Sequence, residues 1–141
     1  YSNGYYTKKY NKFFSFMSVA ILVLVAGLRS GIGDTPTYIQ GYKTDAPSTI
    51  AGSIKLLFSG KKDAGFYFYQ GILKSIVNNP NVFIFVTSLI TIVLIFITYY
   101  KYSQLLELSV FLFITTGCYL VTMNGIRQYL ASAIILFSIN T

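Results

Sequence analysis

The 141 residues are 54% hydrophobic, 18% aromatic and only 11% charged, less than half the roughly 25% charge that covers a soluble domain, so a lipid bilayer is the expected solvent. The absence of His and the lone Cys118 exclude imidazole catalysis, His-based metal sites and a disulfide within the chain. The net charge of +7 is scattered through connecting segments instead of clustering into a nucleic-acid footprint.

In chain order, residues 13–28 form an uncharged stretch of sixteen between Lys8, Lys9 and Lys12 on one side and Arg29 on the other. At 1.5 Å per residue the stretch covers roughly 24 Å, enough for a hydrocarbon core of roughly 30 Å only if the flanking cations snorkel. A secretory signal peptide looks alike over this stretch, but the apolar segments that follow favour a first membrane span. Next comes a polar loop, residues 29–80, rich in Gly, Tyr, Ser, Thr and Lys. Inside it, residues 50–58 and 66–77 are short apolar stretches carrying Lys55 and Lys74, as expected of amphipathic helices lying in the membrane interface.

Residues 82–100 are the clearest span. Thirteen of their first seventeen residues are Val, Ile, Leu or Phe, which favours insertion by roughly 4 to 8 kcal/mol. Pro80 can open the helix without losing a hydrogen bond, and Tyr99, Tyr100 and Tyr102 with Lys101 make an interfacial belt. A third span, 105–123, carries Glu107 near its start, where a carboxylate suits a helix N-terminus. Cys118 and Tyr119 read as packing residues within it. A fourth, 126–141, starts with Arg127 and Gln128. The fold class is therefore all-α, a polytopic transmembrane helical bundle. With no initiator Met at its start and an apolar run at its end, the chain is expected to be a fragment of a longer protein.

The four carboxylates, Asp34, Asp45, Asp63 and Glu107, are widely spaced, and no metal or other cofactor is expected. The chain has only two Arg against nine Lys. With three spans counted between them, Arg29 and Arg127 would face one compartment. Arg presents a planar fork that grips phosphate oxygens in pairs, so two of them could clamp a pyrophosphate; as single residues, each could equally be a helix-end anchor. Helical spacing puts Asn124, Arg127, Gln128, Ala131 and Ser132 on one face and Ile126, Leu130, Ile134 and Phe137 on another, the pattern of a helix beside a water-accessible cavity. After Arg29, the run Ser30-Gly31-Ile32-Gly33-Asp34-Thr35 should make a defined turn. Asp34 has three readings: a turn former, a carboxylate orienting Arg29, or a base toward a sugar hydroxyl. Phe66 and its neighbours Tyr67, Phe68 and Tyr69 either stack on sugar rings or anchor the loop in the interface.

Three motifs, in order, carry a resemblance. Ala26-Gly27-Leu28-Arg29-Ser30-Gly31-Ile32-Gly33-Asp34-Thr35 with Tyr38 and Tyr42, then Asp63 before Gly65-Phe66, then Asn124-Gly125-Ile126-Arg127-Gln128-Tyr129, together resemble the EpsG family, the Wzy-like exopolysaccharide and capsule repeat-unit polymerases. The resemblance implies a GT-C-like glycosyltransferase in the cytoplasmic membrane of a bacterium. It would join undecaprenyl-pyrophosphate-linked glycans at the outer face, alongside the flippase and chain-length regulator of the same pathway. It implies Arg29, Arg127 and Asp34 as catalytic groups and Asn124, Gln128, Gly31, Gly33, Tyr38 and Phe66 as substrate contacts. A lipid-linked glycan flippase or a non-catalytic assembly protein is the rival reading. Charge points the other way on sidedness: four cations (Lys8, Lys9, Lys12, Lys101) against seven (Arg29, Lys43, Lys55, Lys61, Lys62, Lys74, Arg127) would place the long loop in the cytoplasm.

Overall fold

The computed structural model describes residues 11–60 and 62–139, and among these no residue is in a strand. Lys8, Lys9 and Lys61, counted for sidedness, and the last two residues of the fourth span lie outside the described residues. The central element is α5 (Pro80–Tyr102), which starts at Pro80 as expected, with the Asn79 side chain accepting from the Asn81 N–H at 2.9 Å. Among the described residues it is the one helix long and apolar enough to cross a membrane by itself.

Two shorter apolar helices, α1 (Lys12–Gly27) and α8 (Ile126–Ile139), pack along α5. These contacts are built from small and hydroxylated residues, which let helix backbones approach closely and hydrogen-bond across the interface, the packing mode favoured where lipid is the solvent. Ala26, Ala133, Thr87, Ser88 and Thr91 are all buried there. At Gly27 the approach is closest, since a Cβ would lie 2.5 Å from the Phe85 ring. Outward faces of α1 and α8 leave Phe14, Ile21, Val25, Ile135 and Leu136 exposed, a surface that suits lipid.

The third apolar stretch differs from one continuous span. It divides into α6 (Leu106–Thr115) and α7 (Cys118–Asn124), bent by 58°. The break falls at Gly117, whose φ of 80° is a left-handed conformation that glycine adopts without strain. Glu107 does lie in the first turn of α6. The bend presents Tyr119 to the core, where its hydroxyl donates to the Leu22 carbonyl at 2.6 Å, whereas Cys118 is exposed and not packed.

The long loop is mostly helical. Besides the two expected helices, now α3 (Ile50–Leu57) and α4 (Ala64–Ile76), it contains α2 (Thr35–Thr44), which hydrophobicity does not mark. Pro36 in its first turn starts α2, and Lys74 ends it by donating to the carbonyls of Lys43 at 3.0 Å and Ala46 at 2.9 Å. Lys74 therefore caps a neighbouring helix instead of reaching for headgroups. Phe83, near the start of α5, anchors the assembly: Tyr42 stacks on it at 4.7 Å and Phe66 and Tyr69 meet it at 6.1 and 6.3 Å. The Tyr42 hydroxyl donates to the Val77 carbonyl at 2.8 Å, and Tyr69 shares a 2.9 Å hydrogen bond with Thr87.

Replacing Gly27 by Val should force α1 from α5 and destabilise the protein by about 1–3 kcal/mol, the usual range for overpacking. Adding Phe85→Ala to that variant should recover most of the loss in a thermal unfolding measurement in detergent, because the second change removes the ring in the way.

Candidate functional site

Arg29 follows α1 directly and turns inward. Its Nε donates to Thr35 Oγ1 at 2.9 Å, and its Nη1 donates to the Ala26 carbonyl at 2.5 Å and to Ser88 Oγ at 3.1 Å. Only 8% of the residue is exposed, and Nη2 is buried without a hydrogen-bond partner among the described residues. Burial lowers the guanidinium pKa from its ordinary value, and the nearby Tyr119 hydroxyl partly opposes this. The cavity beside it, lined by Thr87, Ser88, Thr91 and Thr122, is about 10 Å³, no larger than one water molecule needs. On its other side Arg29 borders a cleft with Gly27, Ser30 and Asn81. Neither space includes Arg127.

Arg127, in the first turn of α8, is placed differently. Its Nη1 donates to Asp63 Oδ2 at 2.5 Å, with the two side chains 39% and 26% exposed. Asp63 is the one non-glycine residue with positive φ (66°) among the described residues, and it occupies the N-cap of α4 without capping it. Such a conformation is unfavourable for a residue with a Cβ. Here it accompanies a carboxylate directed to Arg127, not to the amides of its own helix. A part-exposed pair of this kind contributes only about 0–1 kcal/mol to stability, so its partners can be exchanged at small cost.

Two clefts meet at Arg127. The first, about 290 Å³, lies between α2 and α4 and includes Asp34, Tyr38, Asp45, Gln70 and Phe66. The second, about 590 Å³, is apolar, with Phe66, Tyr69, Ile90, Leu130, Ala131 and Ile134 beside the Asp63–Arg127 pair. Arg127 and Phe66 belong to both. A cation with a polar cleft on one side and a greasy one on the other suits an amphiphile whose anionic group lies between a polar head and a hydrocarbon tail.

The expected site residues divide accordingly. Asp34, Tyr38, Phe66 and Arg127 converge on the polar cleft. Arg29 does not: it shares none of the clefts described with Arg127, and its hydrogen bonds go to Thr35, Ala26 and Ser88, so of the three readings of Asp34 the one in which it orients Arg29 finds no contact. The two-arginine clamp is thus not what the geometry brings together, because burial of one guanidinium commits it to the framework. Asn124 ends α7 and is separated from α8 by Gly125, so it is not on the Arg127 helix; its Oδ1 instead accepts from the Asp34 N–H at 3.0 Å. That bond joins the first motif to the third. Gly33, at φ 56°, lies directly against the Asn124 amide, where a Cβ would collide. Gly31 has open space around it and Gln128 is exposed outside both clefts. Three residues were not marked as site residues: Asp63, whose signal was its place before Gly65-Phe66, and Asp45 and Gln70, which nothing in the sequence singles out.

Residues 12–141 match the family model described as EpsG family. No curated protein and no solved structure matches the chain.

The two arginine sites should differ in how much they contribute to stability. Arg29→Lys, which cannot reproduce the forked contacts, should lower stability by about 1–3 kcal/mol, the cost of leaving buried acceptors unpaired. Asp63→Asn should stay within about 1 kcal/mol of the parent. Thermal unfolding of both variants in detergent checks the pair.

Proposed function

The chain belongs to the EpsG family of exopolysaccharide-related membrane proteins, and we propose that the whole protein polymerises undecaprenyl-pyrophosphate-linked oligosaccharide repeat units by glycosyl transfer at the outer face of a bacterial cytoplasmic membrane, which it crosses several times. The observation that carries this reading is the position of Arg127, shared by a polar and an apolar cleft. A lipid-linked glycan has the same order of parts: sugar, diphosphate, hydrocarbon.

In this reading the diphosphate takes Arg127 from Asp63. The guanidinium fork binds two of its oxygens and stabilises the negative charge that grows as the glycosidic C–O bond to phosphate breaks. An acceptor hydroxyl attacks the anomeric carbon, the lipid diphosphate departs, and the hydroxyl proton passes to a carboxylate in the polar cleft, with Asp34 the candidate because it lines that cleft beside Arg127. The apolar cleft takes the first units of the prenyl chain. Arg29 acts at a distance, as a positioning residue that fixes the turn bearing Asp34 and the start of α2. Chain membership and cleft order support this reading over a flippase, which needs no carboxylate beside the phosphate contact.

Arg127→Ala in the full-length protein, in cells that make the polymer, should lower polymer formation by about 10²–10³-fold, the range for losing one transition-state contact, while single lipid-linked repeats accumulate outside the membrane. Accumulation on the cytoplasmic face would make the protein a flippase. Normal polymer length would leave it a non-catalytic assembly protein.

A further inference from the structure

Gln70 stands out among the buried residues. It lies on α4, is 2% exposed, and its side-chain amide makes no hydrogen bond among the described residues. A primary amide offers two donors and an acceptor, and with no partner among the described residues these are left for whatever enters the adjoining cleft. This one opens on the polar cleft between α2 and α4. Opposite it is Asp45, at the end of α2, whose Oδ1 accepts from Thr44 Oγ1 at 2.7 Å while no hydrogen bond occupies its Oδ2. Tyr38 and Phe66, edge to face with ring centroids 6.0 Å apart, form an aromatic wall of the same cleft.

Charge limits what can enter. Asp34 and Asp45 line the cleft against a single cation, Arg127, which is already paired with Asp63. A diphosphate inside would meet two carboxylates, so it is confined to the Arg127 rim. A neutral polyol has the opposite preference, because its hydroxyls donate to carboxylates and both donate to and accept from an amide. The volume, about 290 Å³, is at the lower limit of small-molecule sites, enough for one sugar ring and not for a whole repeat unit. Aromatic rings provide the apolar surface that the C–H face of a pyranose covers.

We infer that the α2–α4 cleft is a subsite for one neutral hexopyranose ring, with the Gln70 amide and the Asp45 carboxylate holding its hydroxyls and the Tyr38–Phe66 wall receiving its C–H face. The inference rests on the reading of the protein as one that acts on glycans, and it assigns sugar selectivity to Gln70 and Asp45, apart from the phosphate contact at Arg127. A site whose polar groups pair with particular substrate hydroxyls disfavours sugars in which the hydroxyl is missing or inverted.

The test is saturation-transfer NMR on the purified full-length protein in detergent, with methyl glycosides of glucose, galactose, mannose, rhamnose, N-acetylglucosamine and N-acetylgalactosamine as probes. At least one glycoside should receive saturation, and its affinity should fall tenfold or more in Gln70→Leu and in Asp45→Asn. The Asp45 variant changes an exposed side chain and so keeps the test independent of folding. Absence of transfer to every glycoside, or equal transfer in Asp45→Asn and the parent, overturns the subsite. Loss of polymer in Arg127→Ala alongside unchanged glycoside binding in both cleft variants would sink the subsite and leave the polymerase reading standing. Glycoside binding that depends on Gln70 and Asp45, with normal polymer in Arg127→Ala, would do the reverse.

Discussion

One guanidinium holds together three parts of the chain that the sequence keeps well apart. Arg29 binds the carbonyl of Ala26 at the end of α1, the hydroxyl of Thr35 at the start of α2 and the hydroxyl of Ser88 in the middle of α5. Placing a charge in a low-dielectric interior is expensive and is tolerated only when hydrogen bonds compensate it. That requirement makes the local geometry rigid: the turn after α1 must bring Thr35 inward, and α2 must begin there. The site depends on this constraint although Arg29 touches neither of the clefts that meet at Arg127.

From that anchor the remaining contacts follow in sequence. The turn lets the Asp34 amide reach Asn124, tying the end of α1 to the junction of α7 and α8. The aromatic cluster on Phe83 fixes α2 and α4 against α5. Between these fastenings lies the Asp63–Arg127 pair, part-exposed and weak. The contrast in burial bears on what each arginine can do. A locked arginine with neutral partners suits a framework, whereas one held by a single exchangeable carboxylate can be taken over by an incoming anion.

Much of this was legible in the residues. The uncharged run of α5, mostly Val, Ile, Leu and Phe with Pro80 in front, marks a long apolar helix, and the order of the three motifs anticipates the family and the convergence of Asp34, Tyr38, Phe66 and Arg127. What was not legible is tertiary. Arg29 and Arg127 are chemically identical in a sequence, and only packing separates them into a buried hub and a cleft residue. The helix α2 has no hydrophobic periodicity to betray it, since it is held by Tyr42 stacking on Phe83 and by Lys74 at its end. Asp63 was legible only as the acidic residue before Gly65-Phe66, because its pairing with Arg127 joins residues 64 positions apart.

In the proposed reading one amphiphilic molecule lies across Arg127, with its sugar end beside Tyr67, which also lines the polar cleft, and its lipid end beside Ala131 in the apolar one. Photoreactive side chains introduced singly at Tyr67 and at Ala131 of the full-length protein, activated in cells making polymer, test it directly by the mass of the captured species. Both positions should trap the same lipid-linked saccharide, and both adducts should vanish when Arg127 is replaced by Ala. Capture of nothing but bulk phospholipid at Ala131, in a yield that ignores Arg127, would contradict the account.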